Sequence, residues 1–375
     1  MQLGPNQPLI GGTDFARNLA TPALLLDLDA LDSNIRKMAA LAGQCGRKLR
    51  PHVKAHKSTK IGRRQLDAGA IGLCCATVRE VEAMAAAGLS GLLMTAPCVT
   101  PSVVARLAKV RDLIADLTVV VESDAGIDAL ISCFHAGQPV GVLVDIDMSM
   151  GRTGLTEPAE AVRMARRIAG APQLQYRGVQ AYYGHLQHIP TLMERHTKTT
   201  EQWRRLAKFT DALEAAGLKP DIISGGGTGT HHLDLEHGPF TEIQPGSYIL
   251  MDKQYCAIEL APGEAPFATA LNIAARVVSV VQPDRVIIDA GYKAMATDAG
   301  PALIAAGTRG EVSYQFMGDE HGALRFTNEA DRPELGDLIR LVSPHCDPTI
   351  NLYNQLHVTQ GKRLVEIWPI EARGY

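Results

Sequence analysis

The stretch VGVLVDI, residues 140–146, is apolar on both sides of the chain until Asp145. A strand with one wet face alternates apolar and polar residues. A run without alternation suits a strand covered on both faces, as in a parallel sheet packed by helices. The pattern recurs in both directions. LRPHVK (49–54), AIGLCCA (70–76), GLLMTAP (91–97) and LTVVVES (117–123) precede it, and YRGVQAYY (176–183), DIISGGG (221–227) and IQPGSYIL (243–250) follow. Amphipathic stretches lie between them. In REVEAMAAAG (79–88) Val81, Met84 and Ala85 share a face and Gly88 ends it, and EPAEAVRMARRIAG (157–170) has Pro158 near its start and Gly170 at its end. Eight such units predict an α/β chain built on a (β/α)8 TIM barrel. A doubly wound sheet is the structural alternative.

One strand is left over. PALLLDLD (22–29) precedes the first unit, with Leu31, Ile35, Met38 and Ala42 at helical spacing behind it. It is a strand too many for the barrel and is expected elsewhere. From about residue 262 the texture changes to NIAARVVSVV, RVIIDAG, LIRLVSP and LHVTQGKRLVEIW, separated by Gly, Pro and Asp. This predicts a separate β-rich domain, with a hairpin at Gln360-Gly361.

Composition narrows the class. The 375 residues are 46% hydrophobic and 21% charged, with a formal net charge of -3. That balance gives no reason to expect nucleic acid or an acidic membrane surface as partner. No apolar run reaches the ~20 residues of a membrane span. MQLGPNQPLIGGTDFARN does not read as a secretion signal, and seven cysteines without CxxC pairs suit a reducing compartment. A cytoplasmic enzyme is the expectation.

Barrel enzymes hold their chemistry at the C-terminal ends of the strands. Reactive residues gather at those ends: Lys54 after the first strand, Thr77 after the second, Arg152 after the fifth, and Tyr182, Tyr183, His185 and His188 in QAYYGHLQH after the sixth. SGGGTGT (224–230) ends the seventh. It is not a dinucleotide fingerprint, because Thr230 stands where a third glycine belongs. Successive glycines do let backbone N–H groups converge on an anion, and this end of a barrel is the usual phosphate site. A lysine facing a phosphate cradle across a barrel mouth suits pyridoxal phosphate. Strand alternation would put His52, Lys54 and His56 on one face, with Lys57 and Lys60 solvated.

Those segments together carry a family resemblance. TPALLLDLDALDSNI, RPHVKAHK, GLCCATVREVEAM, GRTG, QAYYGHLQH, SGGGTGT, QPGSYILMD, DAGYKA, DEHG and PHCDPTINLY span nearly the whole chain. The sequence resembles the fold-type III pyridoxal-phosphate enzymes, in particular the D-threonine aldolase / D-serine dehydratase group. The resemblance implies a barrel over residues 30–255 and a β domain formed by residues 1–29 with 256–375, in a homodimer. It assigns Lys54 as the lysine that binds pyridoxal 5'-phosphate covalently. Arg152 falls beside the ring and Tyr182 near its nitrogen. Ser224, Gly226, Gly227 and Thr228 fall in the phosphate loop, and Ser247 and Tyr248 in a second phosphate-side segment.

PHCDPT (344–349) adds a metal question. On a strand, His345 and Asp347 would point one way and Cys346 the other, giving one imidazole and one carboxylate for an open divalent site. The plainer alternative is a loop whose Asp347-Pro348 starts a turn. The resemblance implies the metal; with Asp347 rather than a cysteine in the third place the site is harder and oxygen-rich, which favours manganese, with magnesium or zinc as alternatives. It also matches His188 to the base of the aldolases. The implied reaction cleaves D-threonine, or a related D-β-hydroxy-α-amino acid, to glycine and an aldehyde; dehydration of D-serine or 3-hydroxy-D-aspartate is the alternative. Cys74 and Cys75 are expected as buried packing, and His231, His232 and His237 as surface or loop residues. Glu320 and His321 are candidates to line the site from the β domain. A metal-only hydrolase fits less well, because Lys54 stands where such a barrel would want the second histidine of His-x-His.

Overall fold

The computed structural model describes residues 4–374. Strands β1 (Ala23–Asp27), β2 (Lys48–Leu49), β3 (Leu73–Cys75), β4 (Leu92–Met94), β5 (Leu117–Val121), β6 (Val140–Asp145), β7 (Leu174–Ala181), β8 (Ile222–Gly225) and β9 (Glu242–Ile243) run through the first two thirds of the chain. β2 to β9 form one eight-stranded sheet in the order β2-β9-β8-β7-β6-β5-β4-β3. Every pairing in it is parallel. The sheet closes on itself: Ile71 N–H donates to Leu49 O at 2.9 Å and Cys74 N–H to Pro51 O at 2.8 Å. This is the expected barrel, not a doubly wound sheet.

The absence of alternation in β5 and β6 has the anticipated cause, since every residue of both strands is buried. One face of the strands points inward, where Cys74, Leu93, Val120 and Leu143 fill the barrel. The other face, including Leu73, Leu92, Val119 and Val142, packs under the helices. Each fully buried side chain of this kind contributes roughly 1.5–3 kcal/mol of transfer free energy. Leu31, Ile35, Met38 and Ala42 are the apolar residues buried by the helix Leu28–Gln44, and Val81, Met84 and Ala85 are buried by Val78–Ala86.

Two predicted strands are shorter than their apolar runs. β2 stops before Pro51 and β9 before Pro245, because proline has no N–H to give the ladder. The chain then turns into short 3-10 segments, Val53–Ala55 and Ser247–Ile249. Lys54 therefore sits in a 3-10 turn, and the expected strand alternation of His52, Lys54 and His56 does not hold. Lys57 is buried, not solvated, whereas Lys60 is exposed.

The leftover strand β1 joins a second sheet, antiparallel to β10 (Leu271–Ser279) and parallel to β16 (Gln355–Gln360). β11 (Arg285–Ile288), β12 (Leu303–Ala306), β13 (Val312–Phe316), β14 (Gly322–Phe326), β15 (Leu338–Val342) and β17 (Arg363–Pro369) complete its nine strands. β16 and β17 form the predicted hairpin, with Gly361 in the left-handed region at φ 57°. Among the described residues no helix is long and apolar enough to cross a membrane.

Candidate active site

The barrel interior carries a polar floor. Arg50 donates to both Glu242 oxygens, Nε to Oε1 at 2.8 Å and Nη2 to Oε2 at 3.0 Å. Ser224 Oγ donates to Glu242 Oε1 at 2.7 Å and accepts from Gln244 Nε2 at 2.8 Å. Gln180 Nε2 donates to Asp145 Oδ1 and to Thr95 O, both at 2.9 Å. Burial pushes the Asp145 carboxyl up to about 6, with the Gln180 bond acting against it.

Above this floor lies a cleft of about 350 Å³. Six of the nine cofactor residues expected from sequence line it: Lys54, Arg152, Tyr182, Gly227, Thr228 and Ser247. The other three do not. Ser224 is in the floor. Gly226 has φ +67° and packs against Asp234, whose carboxylate would meet an added Cβ at 2.5 Å. Tyr248 is fully buried, with Gln65 Nε2 donating to its hydroxyl at 3.1 Å; its backbone N–H reaches Thr228 Oγ1 at 3.1 Å.

The glycine loop is held from behind. Gln187 Oε1 accepts the Gly229 N–H at 2.9 Å, and its Nε2 donates to Thr230 Oγ1 at 3.0 Å. Thr230 in turn donates to the buried Asp234 carboxylate at 2.6 Å. A Cβ at Gly227 would meet Gln187 Oε1 at 2.5 Å, so packing as well as ligand approach requires glycine there. Among the described residues the backbone N–H groups of Gly227, Thr228, Gly246 and Ser247 make no hydrogen bond within the chain, and all four residues line the cleft. Unpaired N–H groups from two loops at a barrel mouth fit a phosphate.

Lys54 Nζ and the Arg152 guanidinium each lie 5.7 Å from the Tyr182 ring centroid. Lys54 Nζ is also 3.5 Å from Asp347 Oδ2. Tyr182 and Asp347 favour the Lys54 ammonium, and together they outweigh its desolvation, so it is held above the usual lysine range. His52 caps the turn: its Nδ1 accepts the Lys54 N–H at 3.3 Å while Nε2 bonds Thr95 Oγ1 at 3.1 Å. Unpaired backbone amides, a lysine and an aromatic ring lining one cleft fit pyridoxal phosphate.

PHCDPT is not a strand. His345 caps a short helix, Cys346–Ile350, so Cys346 is buried by a turn and not by strand alternation. His345 and Asp347 both reach the cleft region nonetheless. The His345 ring lies 6.4 Å from the His188 ring. His345 Nδ1 bonds Asp298 Oδ2 at 2.7 Å, which leaves Nε2 as its free donor atom. Such a carboxylate behind a histidine is the usual support of a metal ligand. Burial raises the Asp347 carboxyl, but Lys54 and His345 outweigh it and hold it below the ordinary range. Among the described residues no three His, Cys, Asp or Glu side chains cluster closely enough to hold a metal by themselves. His345 and Asp347 thus offer two donors, which fits an ion completed by water or substrate.

His188 packs on Tyr255 with ring centroids 4.4 Å apart, and its Nε2 is buried without a hydrogen-bond partner. Burial, with His345 and Lys54 adding to it, lowers its imidazole to about 4. It is neutral at pH 7 and able to accept a proton.

Several other expected residues lie apart. Thr77 caps the helix Val78–Ala86, accepting the Glu80 N–H at 3.3 Å. Tyr183 is buried against Asp234 and Trp203, and His185 is exposed. His231 is buried, with Nδ1 hydrogen-bonded to Thr228 O at 2.7 Å and Nε2 lying 3.0 Å from Glu264 Oε1, whereas His237 is exposed. The surface reading thus fails for His231, because it starts a helix that packs under the glycine loop. Glu320 is exposed and pairs with Lys293 at 2.6 Å. Cys74 and Cys75 are fully buried. Sequence reasoning missed Thr95, Gln180, Gln244, Tyr255 and Asp298. For Gln180 a signal existed: it stands two residues before Tyr182 on one strand face.

Comparison with known proteins places the fold in one family. The family model "Alanine racemase, N-terminal domain" matches residues 26–254, and "Putative serine dehydratase domain" matches residues 270–359. The chain is 37% identical to a D-threonine aldolase of Arthrobacter sp over 99% of this chain and 96% of that one. It is 35% identical to a 3-hydroxy-D-aspartate aldolase of Paracoccus denitrificans, over 100% of this chain and 97% of the other. The crystal structure of D-threonine aldolase from Filomicrobium marinum superposes with a TM-score of 0.91 at 34% identity, covering 96% of each chain.

Proposed function

The chain belongs to the alanine racemase-like, fold-type III family of pyridoxal-phosphate enzymes, and from that premise we propose that it is a lyase, a D-threonine aldolase dependent on pyridoxal 5'-phosphate and a divalent cation. It would cleave D-threonine, and related D-β-hydroxy-α-amino acids, to glycine and an aldehyde. The observation that carries this reading is His188: a neutral imidazole with an unpartnered Nε2, beside His345.

When bound, pyridoxal phosphate supplies an electron sink for the carbanion at Cα, and a divalent cation lowers the pKa of the β-hydroxyl. The chain's own residues divide the remaining work. Lys54 would hold the cofactor, with Arg152 and Tyr182 beside its ring. Gly227, Thr228 and Ser247 would bind the phosphate through backbone N–H groups, with Ser224, Gly226 and Tyr248 shaping that region from below. His345 and Asp347 would hold the cation, for which manganese is our first choice. His188 would take the β-hydroxyl proton, and the Cα–Cβ bond would break as the aldehyde carbonyl forms.

The second reading is cleavage of 3-hydroxy-D-aspartate, supported by the full-length likeness to the Paracoccus denitrificans aldolase. That substrate brings a second carboxylate. Among the described residues the Lys and Arg side chains lining the cleft are Lys54 and Arg152, both already committed to the cofactor, which favours the neutral methyl of threonine. Steady-state rates on the two substrates test the choice: kcat/KM should be higher for D-threonine.

We also propose a barrel domain over residues 30–255, with residues 1–29 and 256–375 forming the β domain, and a homodimer that encloses the cleft mouth. β1 pairing with β10 and β16 supports the first point. The exposed apolar side chains of Tyr292, Met317 and Leu352 support the second. A cytoplasmic setting suits the seven free cysteines.

A further inference from the structure

We propose that the buried Lys57–Glu80 ion pair is a positioning device that locks the Lys54 turn to the neighbouring wall of the cleft, at the end of β3, and so sets how tightly the cofactor is held. The inference rests on the pyridoxal-phosphate reading above.

Lys57 combines two locally unfavourable features. Its backbone is left-handed, φ +52°, a region that side chains with a Cβ rarely adopt. Its side chain is also removed from water, with the residue only 8% exposed. A glycine would relieve the first and an apolar residue the second. A position that keeps both is explained when the ammonium itself is used there.

The ammonium meets a matching partner. Lys57 Nζ lies 2.5 Å from Oε1 of Glu80, which is fully buried. The other Glu80 oxygen accepts the Ala76 N–H at 2.6 Å. Ala76 also lines the cleft, at the end of the strand beside the Lys54 turn. On the near side, Lys57 N–H donates to Val53 O at 2.7 Å, closing the turn over Lys54, while Lys57 O accepts the Ala372 N–H at 3.0 Å. The pair therefore ties the turn after β2 to the loop after β3, and both loops carry a cleft wall. Buried ion pairs add little net stability compared with apolar replacements, because desolvation offsets the attraction. What such a pair does supply is one fixed geometry.

The test is the double variant Lys57→Met/Glu80→Gln, which removes both charges and leaves an acceptor for the Ala76 N–H. Cofactor affinity is read by titrating cofactor-free protein with pyridoxal phosphate and following visible absorbance. Thermal unfolding of the same cofactor-free protein is measured alongside. The expected result is a cofactor Kd weakened by about tenfold or more, with little change in the unfolding temperature. Lys57→Arg, which keeps the charge, should recover most of the affinity. A folded double variant that binds cofactor like the wild type overturns the inference, as does a loss of affinity that only tracks global unfolding. Should the double variant not fold, Glu80→Gln alone decides: weaker binding is expected, and unchanged binding overturns the proposal. A wild type that develops no visible band would instead refute the cofactor reading, and this inference with it.

Discussion

The Lys54 ammonium lies 3.5 Å from the Asp347 carboxylate, joining the turn after the first barrel strand to the short helix Cys346–Ile350 that follows β15 of the second sheet. One side chain comes from the proposed cofactor site and the other from the proposed metal site. Their contact would bring the two proposed chemistries to one cleft, as a reaction at adjacent Cα and Cβ atoms requires.

Lys54→Ala should abolish the visible absorbance of bound cofactor and lower activity by at least about 10³-fold, the scale lost with a covalent or acid–base group. Spectra of the purified variant after cofactor incubation check this. A normal band would reassign the lysine.

Asp298 has a narrower expected role. It orients His345 through the 2.7 Å bond to Nδ1. Asp298→Ala should weaken metal affinity by about 10–100-fold while leaving the cofactor spectrum unchanged. Asp347→Ala should keep the cofactor and lose the metal-dependent rate altogether. Metal titrations of both variants, read as activity and as absorbance, separate these effects.

Arg50 and Glu242 close the barrel between its first and last strands, and both are buried. Glu242→Ala strands a buried guanidinium and removes the acceptor of Ser224. The expected cost is about 3–5 kcal/mol of stability, measurable as a fall in the denaturant midpoint. A shift of less than about 1 kcal/mol would show that the pair is solvated.

Stability should fall in mild acid. Burial depresses His56 from the ordinary 6.5 to about 3, and the residue is fully buried. Between those two values the unfolded chain binds a proton that the folded chain does not. Stability is therefore complete above about pH 6.5 and declines as the pH falls toward 3, by on the order of a few kcal/mol from His56. His188, lowered to about 4, adds in the same direction. Urea unfolding at about pH 7.5 and about pH 5 tests the slope. His56→Gln, which still offers an acceptor to the Ser58 N–H, should flatten it.

The barrel was legible in the sequence because strands buried on both faces leave unbroken apolar runs, as in VGVLVDI. The glycine loop and Lys54 were legible because the fold puts strand ends at one mouth. What was not legible depends on partners distant in the chain. Lys57 reads as part of a charged, solvated run; only Glu80, 23 residues on, explains its burial. Asp298 sits in no motif and gains meaning from His345 alone. The floor residue Gln244 looks like an ordinary polar residue until the barrel closes and it meets Ser224. Pro51 and Pro245 were visible, but their effect on strand length was overlooked, and with it the 3-10 turn that carries Lys54.

The proposed aldolase activity is tested most directly by product analysis. The protein is incubated with D-threonine, pyridoxal phosphate and manganese, beside a chelated control. Glycine and acetaldehyde are expected in equal amounts, lost on chelation and restored by added metal. 2-Oxobutanoate with ammonia would contradict it, making the enzyme a dehydratase and removing His188 from the role of base.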